Sequence, residues 1–515
     1  MKKLHIVWIL GMLSCALTAA WAQDDTPAPP SSGDAPQSAQ QGPVAAYGQD
    51  NATSAPISEN PPLSGLDLPS LEPNAAPLSY LQPGATISES ALSNAGAVVG
   101  GSGFSSQTIA VGSVLLKRLW SHYDLALDYM GGVGYYTLTG EGFESLQQMD
   151  FVQKILWKRG ELSLRDSFSY LPEGNFGGSY GSQGSQGISS LGNTAFGGFW
   201  GGSSLGNLGL APRALNVSVA DVTESLSPKS SVTAAGGYAF MHFYGTEASG
   251  TSFIGSSQVS AQLGYNRTLT SRSQIAVDYG YQGFNFSIIG AAFHSHVVQG
   301  LYGHRISGRM DLLIGAGPQI TFIDTQSAVC SESIVTPYYC QIFGGTLIPT
   351  TIKNTKLGVA AQGRLRYRFP KTSLDLEFQR FETSGSGLFA GAQSNIVSLN
   401  AHRPLSRTLT GFVDIGYSTN GMLQPLSEQQ LVACTTQPSQ SVCPANDATA
   451  YNYAFAGGGL QRALGRKFHA YVSYQFNELA FDHSFCQGSG ACNHISSQSV
   501  ATVGLDWTPR PIRID

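Results

Sequence analysis

Four charged residues recur at two-residue spacing on both sides of a short turn. Arg364 and Arg366 precede Pro370-Lys371, and Asp375 and Glu377 follow it. If these two residues form the turn of a hairpin, Arg366 pairs with Asp375 and Arg364 pairs with Glu377. Opposite charges across neighbouring strands contribute roughly 0.2 to 1 kcal/mol per pair. The pattern predicts either ion selection along a polar wall or local pairing that only sets the strand register, and pairing is the favoured interpretation.

Further titratable residues occupy polar positions of other segments with the same alternation. These candidates for a pore lining are Arg309, Arg368, Asp278, Asp311, Asp414 and His402. Their signs are mixed, so the sequence predicts no preference for anions or cations. His402 lies near Ser398 and Asn400, and the three could be read as a serine-hydrolase site like that of barrel lipases. Alternation along a strand brings such residues together by chance, however. We therefore predict no catalytic residue and no enzymatic activity.

Motifs for other chemistry are absent from the sequence. It contains no nucleophile elbow, P-loop, dinucleotide fingerprint or calcium loop. His294 and His296 are two residues apart and are interpreted as ordinary polar residues rather than metal ligands. The sequence thus predicts no cofactor and no metal.

Six cysteines form three close pairs in polar connecting segments. They are Cys330 with Cys340, Cys434 with Cys443, and Cys486 with Cys492. Six cysteines allow 15 connectivities in principle, but bridging within each segment is the simplest. Small closed loops of this kind are typical of an oxidising compartment. A seventh residue, Cys15, lies in the leader.

Segments of 10 to 15 residues with alternating apolar and polar side chains fill the chain after about residue 81. In one of them, Val259, Ala261 and Leu263 alternate with Gln258, Ser260 and Gln262. This period of two predicts strands with one apolar and one polar face. Short turns that usually carry a cation alternate with long polar connections. The pattern predicts 18 strands, or 16 if the weakly alternating hairpin of residues 81–92 and 109–119 is omitted.

The length of these strands favours a membrane barrel over a β-sandwich, whose strands are usually about 5 to 6 residues long. A tilted strand needs about 9 to 11 residues to cross a bilayer. Aromatic residues recur near the strand ends, as expected at membrane interfaces: Trp120, Tyr136, Trp157, Tyr170 and Trp507. We predict an all-β, antiparallel up-and-down transmembrane barrel with an aqueous lumen. A secreted sandwich or β-solenoid is the alternative.

Over about residues 81–507 the chain resembles bacterial outer-membrane β-barrels of the porin type. Pro172, Glu173, Phe176, Gly177 and Gly178 are similar to the Pro-Glu-Phe-Gly-Gly segment of the third loop of general porins. The resemblance implies passive diffusion of small solutes, and an aromatic residue near the end that assembly machinery reads, here Trp507. The glycine-rich stretch 174–210 is either an external loop or an inward constriction, and we favour the external loop.

The leader and the composition indicate export. Lys2 and Lys3, an apolar stretch and Ala20-Trp21-Ala22 predict a signal peptide, residues 1–22, cleaved after Ala22. Residues 23–80 are rich in Pro, Ser, Gln and Ala and predict a disordered periplasmic tether. The barrel is expected at residues 81–508 and a tail at 509–515. A net charge of −5 argues against a nucleic-acid partner.

The predicted location is the outer membrane of a Gram-negative-type bacterium. The predicted partners are outer-membrane lipid, small solutes and the assembly machinery, with a homo-oligomer left open. Two other functions are compatible with the same architecture. One is export or assembly of a surface polysaccharide, and the other is a non-conducting structural or adhesive barrel.

Overall fold

The computed structural model describes thirteen stretches of the chain, all within one compact unit, residues 41–515. They are residues 62–65, 79–93, 104–137, 142–171, 212–244, 254–286, 291–330, 347–385 without 370, 387 together with 389–423, 449–485, and 493–514. The signal peptide, the cleavage site at Ala22, most of the tether and the stretch 172–211 lie outside the described residues. So does at least one cysteine of every predicted pair, and these disulfides stay predictions.

Nineteen strands make up the described part of the chain. They are β1 Tyr80–Ser93, β2 Phe104–Leu119, β3 Tyr123–Tyr136, β4 Gly142–Trp157, β5 Gly160–Leu171, β6 Arg213–Ser227, β7 Ser230–Phe243, β8 Ser256–Thr270, β9 Ser273–Phe286, β10 Ala291–Ser307, β11 Met310–Cys330, β12 Leu347–Arg368, β13 Ser373–Thr383, β14 Ala392–Pro404, β15 Leu409–Met422, β16 Ala450–Ala463, β17 Phe468–Phe485, β18 Asn493–Trp507 and β19 Ile512–Arg513.

Strands β1 to β18 form a closed antiparallel barrel. Each strand pairs with its neighbour in sequence, and β18 pairs with β1 from Ala85↔Trp507 to Leu92↔Val500. The prediction of an 18-strand up-and-down barrel is confirmed, including the weakly alternating first hairpin, where β1 and β2 pair along their length. The two-residue strand β19 adds to the start of β1, with Leu81 opposite Ile512.

The two faces of the barrel wall differ as the alternation predicts. Large apolar side chains such as Leu357 and Val277 are exposed on the outside, and Trp120 and Trp157 lie exposed beside the short turns. The alternating positions carry Gln, Ser, Asn and Asp and face inward. Among the described residues, no helix has the length and hydropathy needed to cross a membrane.

Inward side chains are much less exposed than an open aqueous cylinder would leave them. Ser163, Asp278 and Ser295 have no exposed surface, although they lie on three different strands. Long amide side chains contribute to this by bridging strands, as where Gln362 Nε2 donates to Gln299 Oε1 at 3.1 Å. The expected polar lining is present, but it is a packed one.

The wall has uneven height around β12. Strands β11 and β12 have 21 and 22 residues, whereas β13 has only 11. The pairing of β12 with β13 stops at Ala361↔Arg380. Beyond that point β13 pairs only with β14, up to Thr383↔Ala392. Among the described residues, the end of β13 and the connection that follows it therefore have no paired strand on the β12 side.

Gly317 offers a test of this packing. A Cβ atom there would lie 1.7 Å from the Val298 carbonyl oxygen, a backbone atom that cannot rotate away. We expect Gly317→Ala to destabilise the barrel by about 1 to 3 kcal/mol, the usual cost of overpacking. The measurement is the urea midpoint of the refolded barrel. Gly300→Ala is the control, since a Cβ at Gly300 meets nothing within 4 Å, and an equal effect of both variants would contradict the expectation.

Candidate functional site

The charged hairpin has the predicted register but a different set of ion pairs. Arg366 lies opposite Asp375, and Arg364 lies opposite Glu377. Arg364 nevertheless binds Asp375 diagonally, with Nε 3.0 Å from Oδ1. Arg366 turns to β11, where its Nε donates to Asp311 Oδ1 at 3.0 Å. An arginine side chain is long enough to reach diagonal neighbours, so register alone does not determine the pairing.

These five side chains form one cluster on the inward face of β11 to β13, called here the charged cluster: Asp311, Arg364, Arg366, Asp375 and Glu377. Glu377 accepts a hydrogen bond from Gln379 Nε2 at 2.6 Å. Formal charges within the cluster sum to −1, from two arginines and three carboxylates. It lies in the half of the barrel nearer the short turns.

Four of the other predicted lining residues occupy inward positions but lie apart from one another, and the fifth, Arg309, does not. Asp278 is buried on β9, with Gln262 Nε2 3.5 Å from its Oδ2. Arg368, His402 and Asp414 lie on β12, β14 and β15 near the short turns. Arg309 is exposed in the turn before β11. That these residues line a solute path stays a prediction.

His294 and His296 lie on the outer face, where they bind tyrosines of β9. Tyr281 Oη is 2.9 Å from His294 Nδ1, and Tyr279 Oη is 2.8 Å from His296 Nδ1. Within the part of the chain that the structure describes, no group of three His, Cys, Asp or Glu residues is placed to hold a metal ion.

Several buried inward side chains have polar atoms that no described protein group satisfies. They include Ser260 Oγ on β8, Gln282 Nε2 on β9, and both amide atoms of Gln498 on β18. Buried polar groups in proteins are nearly always hydrogen-bonded to protein or to water. Donors and acceptors on well-separated parts of the wall are thus free to bind water or a polar solute.

A connection that the sequence analysis does not single out enters the lumen at the long-loop end. Its described residues are 384, 385, 387 and 389–391, and they are called here the mouth loop. Gly385, Gly387 and Gly391 have φ values of 78°, 81° and 78°. Residues other than glycine rarely adopt this backbone conformation. The loop closes on itself, because the Gly391 amide lies 3.4 Å from the Ser384 carbonyl oxygen.

The mouth loop reaches residues on a distant part of the wall. The Ile254 amide, just before β8, donates to the Gly387 carbonyl at 2.9 Å. A Cβ at Gly387 would lie 2.4 Å from Phe243, the last residue of β7. Since β7 and β13 are six strands apart in a ring of eighteen, this contact spans the lumen.

Apolar side chains fill the space around the mouth loop. Phe389 is fully buried, with its ring centroid 5.4 Å from that of Tyr451 on β16. The same cluster includes Phe381, Leu479 and Phe481. A second cluster, with Phe284, Phe286, Phe293 and Leu423, lies beside it. Buried apolar side chains therefore surround the described residues of this loop at the long-loop end of the barrel. The signal for this packing in the sequence is the spacing of glycines around Phe389.

The chain is an outer-membrane β-barrel. An even number of antiparallel strands, an apolar outer belt and short turns at one rim together define that architecture. Its place is the outer membrane of a Gram-negative-type bacterium. At the level of the fold, the porin-type prediction is confirmed.

Comparison with solved structures finds barrels of similar extent. The outer membrane protein OpdK of Pseudomonas aeruginosa is 9% identical, with a TM-score of 0.37 over 83% of this chain and 99% of that one. OccK2 (OpdF) of the same species, in complex with glucuronate, is 10% identical, with a TM-score of 0.38 over 84% and 98%. The ferric-catecholate import receptor Fiu of E. coli is 7% identical, with a TM-score of 0.41 over 83% and 81%.

No family model matches the sequence, and no curated protein matches it.

Proposed function

We propose that the protein is an outer-membrane channel for small polar solutes. The observation that carries the proposal is the set of buried inward polar atoms on β8, β9 and β18 that have no hydrogen-bond partner among the described residues. Leaving such an atom unsatisfied costs about 1 to 3 kcal/mol, so these groups favour the entry of water or of a solute that hydrogen-bonds. A wall built only for support would gain stability from apolar side chains at these positions.

The charged cluster supports the same proposal. It presents cationic and anionic groups side by side on one part of the wall, within a lining that also carries many amides and hydroxyls. Such a surface suits hydroxylated solutes, which offer hydrogen-bond donors and acceptors, and zwitterionic solutes, which carry charges of both signs.

The test is conductance of the purified barrel in a planar bilayer. We expect discrete current steps in KCl, with closed periods because the mouth loop covers the lumen. Liposome swelling in small sugars and amino acids then ranks the solutes. A folded barrel that gives neither current nor swelling, including after removal of the mouth loop, contradicts the proposal.

A non-conducting structural barrel is the second candidate. It is favoured by the apolar clusters that meet at the outer end, which join Phe381 on β13 to Tyr451 on β16 and extend to Phe243 on β7. The two functions predict different results in the conductance experiment. A structural barrel stays closed to ions whatever is done to the mouth loop.

A further inference from the structure

A short segment before the barrel lies inside it. Residues 62–65, Pro-Leu-Ser-Gly, form a turn in which the Gly65 amide donates to the Pro62 carbonyl at 3.1 Å. Ser64 is buried. The segment falls within the predicted tether, and its contacts with the barrel lie on the inward face.

Ser64 is held by three side chains of two neighbouring strands. Its amide donates to Asn266 Oδ1 at 2.9 Å, and its hydroxyl accepts from Asn266 Nδ2 at 2.6 Å. Its carbonyl accepts from Gln262 Nε2 at 2.9 Å. Its hydroxyl also lies 2.5 Å from Thr233 Oγ1 on β7. The peptide unit and the side chain are thus recognised together, by groups without formal charge.

Two glycines make room for the segment. A Cβ at Gly264 on β8 would lie 2.2 Å from Ser64 Oγ, and a Cβ at Gly303 on β10 would lie 2.7 Å from Leu63 Cδ2. Both positions face inward, and the inward positions on either side of Gly264 carry the polar side chains of Gln262 and Asn266. A side chain at either glycine would occupy the place of the turn.

We propose that the inward face of β7, β8 and β10 is a binding site for a neutral, hydroxyl-bearing peptide turn, and that residues 62–65 of the same chain are its occupant. Because the site faces the lumen, the bound turn narrows the path and must leave before a solute passes. This second part rests on the proposed channel function, whereas the binding site does not.

The first experiment tests the site without any current. Ser64→Cys with Thr233→Cys places two thiols where two hydroxyls are 2.5 Å apart, which suits a disulfide. The control pair is Ser64→Cys with Ser473→Cys, since Ser473 also faces inward but lies on β17. We expect oxidation to link residues 64 and 233 and not 64 and 473, as read by mass spectrometry of unreduced peptides. A folded barrel without the 64–233 link overturns the inference.

The second experiment tests the effect on passage. Gly264→Ala and deletion of residues 62–65 are each expected to raise the open probability several-fold over the natural chain. Gly300→Ala is the matched control, with open space around its Cβ. The peptide Asn-Pro-Pro-Leu-Ser-Gly-Leu, residues 60–66, should block the deletion variant, and the same peptide with Ala for Ser should block it less.

The outcomes separate the two proposals. Formation of the 64–233 link together with natural open probability in Gly264→Ala overturns the role in passage. Formation of the link with no current from any variant supports the binding site and overturns the proposed channel function.

Discussion

Removal of the mouth loop should convert a mostly closed barrel into an open one. Deleting residues 385–390 leaves Ser384-Gly391 between Thr383 and Ala392, which are already paired. A two-residue connection with glycine suits a hairpin, so the wall is expected to stay intact. Because the loop enters the lumen with Phe389 packed among buried apolar side chains, we expect a several-fold rise in single-channel conductance in a planar bilayer.

A graded series makes this result specific. Phe389→Ala removes one ring from this packing and should give an intermediate conductance. Phe143→Ala removes an equally large ring from the outer surface, where the side chain is 75% exposed, and should leave conductance unchanged. Equal conductance of the natural chain and the loop deletion, with both barrels showing heat-modifiable mobility on gels, would show that the loop does not close the path.

Changes in the charged cluster should move ion selectivity in opposite directions. Arg364→Gln takes the formal charge of the cluster from −1 to −2, and Asp375→Asn takes it to 0. We expect the reversal potential in a tenfold KCl gradient to shift by about 10 mV toward cations in the first variant and about 10 mV toward anions in the second, within an ideal limit of roughly 59 mV. The double variant keeps the charge at −1 and should return close to the natural value.

Asp166→Asn is the matched control for these substitutions. It removes one carboxylate charge, but Asp166 lies on the outer face of β5, where it accepts from Asn216 Nδ2 at 3.2 Å and from Ser218 Oγ at 2.5 Å. It should leave the reversal potential unchanged. If all four variants share the natural value, the charged cluster does not contact the ion path and serves only to set the register.

The barrel itself could be predicted from the sequence because lipid on one side and polar packing on the other impose a period of two on every strand. That period also locates the turns, and so the register that places Arg366 opposite Asp375 follows. It carries no information on which diagonal neighbour a long side chain selects, and the Arg364–Asp375 pair was not predictable for that reason. The strand number carries no information on how tightly the inward side chains pack, so the burial of Ser163, Asp278 and Ser295 was not predictable either.

The two segments that enter the lumen could not be predicted because they have no periodicity. The mouth loop and residues 62–65 depend on contacts between parts of the chain that are far apart, such as Gly387 with Ile254 and Ser64 with Asn266. Their local signals are glycines in turns, which a polar external connection also has. Gly264 is the more informative residue, since it lies between the inward polar side chains of Gln262 and Asn266.

The pairing of β1 with β18 has a consequence for biogenesis. The hydrogen bond from Thr86 Oγ1 to Asp506 Oδ1, at 2.7 Å, joins residues 420 positions apart. The first strand to be synthesised must wait for the last one before its free edge is covered. A nonsense mutation late in the reading frame would therefore yield an open sheet whose two edge strands have unpaired backbone groups. Such edges are too costly to expose to lipid, so the product would not be a slightly smaller pore.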